Sequence, residues 1–181
     1  MFGRQISPKH LIGMCSKYNN DAIVWIPKNG STSIRDYFSE TVYSYYAWQV
    51  ETYHVILRDP YIRWVSGVCE YIKKYNVKLD DIIEDIDKGR LVFAEYTTPQ
   101  VDFLDFDGPT IYYNLEDNAI HKIFTYFHID ANIPWRKKTS TNAYRSELKK
   151  KLLKRIKTRK MYKKIYDFYT DDYKLLKELN F

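Results

Sequence analysis

The sequence predicts an α/β fold: a central parallel sheet flanked by helices, with a helical C-terminal part. Three observations predict it. Short apolar runs alternate with stretches of helical periodicity over the first two thirds of the chain. Two of those runs pass into a helix through a short polar turn, at residues 27–33 and 58–61. From Tyr144 onward the apolar residues recur only at helical spacing. A chain of 181 residues suits one domain with its own core, so 1–181 is read as a single domain.

Residues 1–20 have little periodicity and are expected to form an irregular lead-in. Ala22 to Ile26 is an apolar run cut by Pro27, and Lys28 to Ser33 is a polar turn. Ile34, Tyr37 and Phe38 then follow helical spacing, which makes the unit a strand, a tight loop and a helix. A loop in that position presents unpaired backbone N–H groups at the positive end of the helix dipole and so suits an anion. Gly30 lets the backbone approach the anion, Ser31, Thr32 and Ser33 add hydroxyl donors, and Lys28 adds charge. The Walker A pattern is not met, because the lysine precedes the glycine by two positions and no second glycine opens the turn, which disfavours an ordinary nucleotide kinase or ATPase. The plain alternative is a helix N-terminus capped by serine and threonine.

Residues 39–50 are rich in aromatics and predict a short strand or one wall of a cleft. Tyr43, Tyr45, Tyr46 and Trp48 suit either sugar stacking or core packing. Tyr53 to Arg58 reads as the second strand, and Asp59-Pro60 supplies an N-cap and a first-turn proline. In the helix that follows, Ile62, Val65, Val68, Cys69 and Ile72 are expected to share the buried face, with Arg63, Glu70, Lys73 and Lys74 elsewhere. Asp80 to Lys88 reads as a short helix stopped by Gly89. Residues 91–106 are mixed, with a turn at Thr97 to Gln100. Thr110 to Asn114 is the third strand, and Asn114 caps a helix whose first turn carries Glu116 and Asp117. Residues 132–142 form a polar, basic loop, and 144–181 form a helical segment of the same domain with one break. Ligands of parallel α/β sheets bind beyond the C-terminal strand ends, where both polar turns fall.

The net charge of +6 is unevenly spread. Arg136 to Lys164 holds fourteen basic residues and one acid, Glu147, whereas the rest of the chain is net acidic. Such a tract binds nucleic acid or another polyanion, or is simply a solvated helix face. Two cysteines, Cys15 and Cys69, are too few for a disulfide framework or a zinc site, so no metal is expected. No signal peptide or membrane span is readable, which predicts a soluble, cytoplasmic protein.

Two motifs together resemble a known family. Ile26-Pro-Lys-Asn-Gly-Ser-Thr-Ser33 resembles the 5′-phosphosulfate loop of sulfotransferases. Val55-Ile-Leu-Arg-Asp-Pro-Tyr-Ile-Arg-Trp-Val-Ser66 resembles their 3′-phosphate motif, with eight residues from Arg58 to Ser66. Ile111-Tyr-Tyr-Asn-Leu-Glu-Asp and Ile165-Tyr-x-x-Tyr-x-x-Asp-Tyr-x-Leu-Leu176 look like segments of the carbohydrate-type members. The resemblance implies a compact P-loop-like sulfotransferase fold. It further implies the donor 3′-phosphoadenosine-5′-phosphosulfate (PAPS), the desulfated product PAP, and transfer of the sulfuryl group to an acceptor hydroxyl.

On that resemblance Lys28 is catalytic, and Asn29, Gly30, Ser31, Thr32 and Ser33 hold the 5′-phosphate. Arg58 and Ser66 hold the 3′-phosphate, and Lys137, Lys138 and Thr139 lie where family members close a loop over the cofactor. Ser33 stands where cytosolic members often carry an adenine-stacking tryptophan. Members use a histidine or glutamate as base. Glu51, 23 residues after Lys28, ranks first here, with Glu40, His54 and Glu95 as alternatives and His54 also readable as a core histidine. The carbohydrate-type motifs imply a glycan acceptor, with a tyrosine side chain or a small alcohol as alternatives. Two rival readings are a catalytically inactive nucleotide- or partner-binding member of the fold, and a basic nucleic-acid-binding module. The second leaves both phosphate motifs unexplained.

Overall fold

Five short strands and seven α-helices carry the chain, in the computed structural model that describes residues 15–18, 20–35, 40–42, 50–129, 143–158 and 161–181. The strands are β1 (Cys15–Tyr18), β2 (Asp21–Val24), β3 (Glu40–Val42), β4 (Tyr53–Leu57) and β5 (Thr110–Asn114). They form one sheet in the order β3-β1-β2-β4-β5. The three apolar runs, β2, β4 and β5, pair in parallel, as the α/β reading expects. β1 and β3 pair antiparallel, β1 against β2 and β3 against β1. The irregular lead-in expected for residues 1–20 is therefore corrected at residues 15–18. That strand has no apolar run of its own, and its place comes from pairing with β2.

Contacts divide the chain into two units, one within Met1–Arg58 and Gln100–Ile133, the other within Asp59–Pro99 and Pro134–Asn180. The first contains the sheet, with α1 (Ser31–Arg35) and α4 (Ala119–Tyr126). β4 is buried at every position because it has a neighbour on each side, and such strands read as continuous apolar runs. Ile23, Ile56 and Tyr113 of the three parallel strands meet Ile34 of α1 and Ala119, Ile120, Ile123 and Phe124 of α4 in one apolar cluster. Truncating Ile23 or Ile56 to alanine is expected to cost about 2–5 kcal/mol. The helix expected directly after Asn114 is interrupted: a 3-10 turn, Leu115–Asp117, and a left-handed Asn118 precede α4.

The second unit is helical: α2 (Pro60–Tyr75), α3 (Leu79–Asp87), α5 (Ala143–Thr158), α6 (Tyr162–Phe168) and α7 (Thr170–Glu178). Asp59 caps α2 by accepting from the Ile62 amide at 2.7 Å, and Pro60 occupies its first turn, as the sequence predicts. Trp64, Val68 and Ile72 pack with Ile82, Ile86, Leu148, Leu152, Ile156 and Tyr169. Two residues of α2 face otherwise than expected. Ile62 is exposed at 37 %, and Arg63 is fully buried, its Nη1 donating to the Thr98 carbonyl at 2.5 Å. Gly67 is required by packing, since a Cβ there would lie 2.3 Å from the Tyr96 carbonyl oxygen. Among the described residues no helix is long and apolar enough to cross a membrane.

Candidate anion site at the strand ends

Three loops leave the C-terminal ends of the parallel strands in the first unit. Their residues are Pro27 to Gly30 after β2, Arg58 after β4, and Leu115 to Asp117 after β5. This edge is where open α/β sheets take ligands. The loop after β2 starts with a turn closed by the Asn29 amide donating to the Ile26 carbonyl at 3.1 Å. Pro27 presets the second turn position, and the third, Lys28, has φ +71°. That is the pattern of a type II turn, which ordinarily asks for glycine at the third position. A lysine held there costs roughly 1–3 kcal/mol, and such strain collects at ligand clamps. Gly30, at φ +83°, begins α1 by accepting from the Ser33 amide at 2.9 Å.

Among the described residues, the amides of Gly30, Ser31 and Thr32 donate to no backbone carbonyl. They are the orphan donors of a helix start. Asn29 is oriented inward: it is 2 % exposed, and its Nδ2 donates to the Ile56 carbonyl at 2.7 Å and to Gln100 Oε1 at 2.5 Å. Of the residues expected to hold a phosphate, Asn29 therefore has its side chain committed to the protein. Its Oδ1 is buried with no hydrogen-bond partner among the described residues.

Arg58 extends over the same loop. Its Nη1 donates to the Lys28 carbonyl at 3.4 Å, and its Nε pairs with Glu116 Oε1 at 3.0 Å. Its backbone is closed by Gln100, which receives the Arg58 amide at 3.0 Å and donates to the Arg58 carbonyl at 2.9 Å. Lys28, Asn29 and Arg58, distant in sequence, are thus brought together. Sequence reading assigned no site role to Gln100 or Glu116. The available signals were a glutamine after a turn proline and an acid placed where it also favours a helix start.

Two base candidates, Glu51 and His54, do not join this group. Glu51 is corrected outright. Its amide donates to the Asn20 carbonyl at 2.9 Å and its Oε1 accepts from Asn20 Nδ2 at 2.8 Å, so it lies at the N-terminal ends of the parallel strands. From Asn20 to Val24 a strand rises roughly 13 Å, at about 3.3 Å per residue, before the Lys28 loop even starts. Proton transfer needs hydrogen-bond reach.

His54 is fully buried, with Nδ1 2.8 Å from the Tyr113 hydroxyl and Nε2 3.3 Å from Asp21 Oδ2. Burial pushes its pKa below the usual histidine value, against the opposing pull of Asp21. It is a satisfied core histidine. Glu95 lies in the second unit, in the 3-10 turn Ala94–Tyr96, with Lys74 Nζ at 3.9 Å. Glu40 belongs to β3, opposite Lys17 of β1, and its side chain lies outside the described residues. Ser66 is half-buried on α2 in the second unit. The Thr32 side chain, the aromatics 43–48 and the loop residues Lys137, Lys138 and Thr139 lie outside the described residues.

Chemically, the strand-end group can hold an anion: it combines helix-start amides, a lysine, and an arginine whose fork is positioned from both sides. Among the described residues no cluster of histidine, cysteine or acidic groups is arranged to hold a metal. No family model, no curated protein and no solved structure matches this chain.

Proposed function

We propose that the protein is a PAPS-dependent sulfotransferase with a compact P-loop-like sulfotransferase fold, acting on a hydroxyl group, that of a glycan by the carbohydrate-type motifs. The observation that carries this reading is that the strained Lys28 loop and Arg58, one from each phosphate motif, end adjacent parallel strands and touch through the Lys28 carbonyl. On this reading the amides of Gly30 to Thr32 hold the 5′-phosphate, and Arg58 binds the 3′-phosphate. The acceptor oxygen attacks sulfur, and the bond from sulfur to the bridging phosphate oxygen breaks. The electron pair departs on PAP, where Lys28 offsets the developing charge. The acceptor proton passes to a carboxylate other than Glu51, and Glu116, which pairs with Arg58, is the one to test.

A thermal shift measured with PAPS, PAP and ATP tests the donor. A ligand at one hundred times its Kd adds about 2.7 kcal/mol of stability. PAPS and PAP are expected to raise Tm well above ATP, because only they carry the 3′-phosphate. Equal shifts for all three would count against the reading.

Two observations favour a second reading, a member of the fold that binds the nucleotide without turnover. The first-ranked base lies at the wrong edge of the sheet, and Arg58 is already engaged by Glu116. Binding of PAP together with no sulfate transfer to any acceptor class from labelled PAPS would select it.

A further inference from the structure

Gln100 is 1 % exposed, and its amide serves two of the three strand-end loops of the first unit, those of Asn29 and Arg58. Its Oε1 accepts from the Arg58 amide at 3.0 Å and from Asn29 Nδ2 at 2.5 Å, while its Nε2 donates to the Arg58 carbonyl at 2.9 Å. The chemistry leaves only one orientation. A backbone amide can only donate and a carbonyl can only accept, so Arg58 dictates which end of the Gln100 amide is oxygen. That oxygen must then receive a donor from Asn29, which turns Asn29 Nδ2 toward Gln100 and the Ile56 carbonyl. With Asn29 fixed, the turn that holds Lys28 at φ +71° is fixed as well. The pairing of β4 with β5 ends at Leu57 and Asn114, so the Gln100 side chain supplies the next rung for Arg58.

We propose that Gln100 is a positioning residue that sets the spacing between the Lys28 loop and Arg58, and so fits the site to a ligand carrying two phosphates rather than one. The substrate side of this inference rests on the donor reading above; the hydrogen-bond geometry does not. A purely structural glutamine would stabilise the whole first unit and weaken every ligand alike when removed. A spacing residue acts selectively. Its loss frees the two loops while the strands stay protected, and it penalises the molecule that must touch both loops.

The test uses the full chain with Gln100→Met, which removes the side-chain bonds to Asn29 and to the Arg58 amide and carbonyl, and Gln100→Glu, which keeps the shape and an acceptor but loses the donor to Arg58. Should Gln100→Met fail to fold, Gln100→Glu carries the experiment. The first readout is amide hydrogen exchange. The hydrogen-bonded amides of Asn29 and Arg58 are expected to exchange about tenfold or more faster, with β2 and β4 unchanged. Uniform acceleration, or none, overturns the proposal.

The second readout is affinity for PAP against adenosine 5′-phosphate. A loss of about tenfold or more for PAP is expected, with less than about twofold for the monophosphate. Equal losses overturn the spacing role. If the wild-type chain binds neither nucleotide, the donor reading fails by itself, and the exchange pattern alone decides whether Gln100 holds the two loops.

Discussion

The strand-end group and helix α5 hold cationic side chains in opposite ways. α5 carries seven basic residues and one acid over Ala143–Thr158, and Leu148, Leu152 and Ile156 fill its buried face. Its Lys149, Lys150, Lys151, Lys154 and Lys157 are exposed. Its firmest ties are Arg145 to Glu70 at 2.7 Å and Arg155 to Asp80. Among the described residues, the strand ends of the first unit offer only Lys28 and Arg58, yet Arg58 is held at its guanidinium by Glu116 and the Lys28 carbonyl and at its backbone by Gln100. A free lysine or arginine gives up as much as ~2 kcal/mol of rotamer entropy when a ligand fixes it. Where the fold has already ordered the group, that cost falls on folding instead of binding. The difference teaches that a count of charges locates a field, whereas their attachment locates a site.

Lys28→Ala should show the largest effect. Removing a charge aimed at the leaving oxygen is expected to cut turnover by roughly 10²–10³. Sulfate transfer from labelled PAPS measures it, and the melting curve should barely move, since alanine adopts the same strained φ with no more difficulty. Near-normal turnover would take Lys28 out of the chemistry. Arg58→Ala comes next, with its effect on binding. Loss of a charge-assisted hydrogen bond costs about 1.5–3 kcal/mol, so PAP affinity should fall by roughly 10- to 150-fold in a titration. Unchanged affinity would reduce the ordered arginine to a packing device.

Much of this architecture was legible, for identifiable physical reasons. The parallel strands announce themselves because a strand covered on both faces must be apolar throughout, as Tyr53 to Leu57 nearly is. Asp59-Pro60 marks a helix start by local chemistry alone. What failed depends on distant partners. Cys15 to Tyr18 becomes a strand through β2, and Arg63 is tolerated in the core through the Thr98 carbonyl. Gln100 reaches residues 42 and 71 positions away. The Glu51 error differs in kind, since a residue just before a parallel strand must lie at the edge opposite to the loop that follows its neighbour. That inference needed only the parallel pairing, which the strand–helix alternation already implied.

Glu116→Gln sharpens the comparison at smaller scale. The carboxylate occupies the guanidinium face that an anion would need, and such half-exposed pairs contribute about 0.2–1 kcal/mol. PAP should therefore bind up to about fivefold more tightly to the variant, and a weaker complex would mean that Glu116 orients Arg58 rather than competing for it. The same variant examines proton transfer. A fall of roughly 10²–10⁴ in turnover with binding intact would make Glu116 the base.

The smallest effect is expected where the charge is greatest. Replacing Lys149, Lys150 and Lys157 together by glutamine removes three of the exposed cations of α5 while leaving its buried Leu148, Leu152 and Ile156 in place. Such surface changes typically stay within about 0.5 kcal/mol each in stability. An exposed, unordered lysine gives up about 2 kcal/mol of rotamer entropy to hold a ligand. PAP affinity should therefore change by less than about twofold, a difference of under roughly 0.4 kcal/mol. The helix would still show itself with a long polyanion: the salt dependence of any such binding should fall by about 0.7–0.9 in slope for each phosphate that α5 no longer neutralises. A tenfold loss of PAP affinity in the triple variant would invert the comparison, because numerous exposed lysines would then be doing what Lys28 and the ordered Arg58 are expected to do.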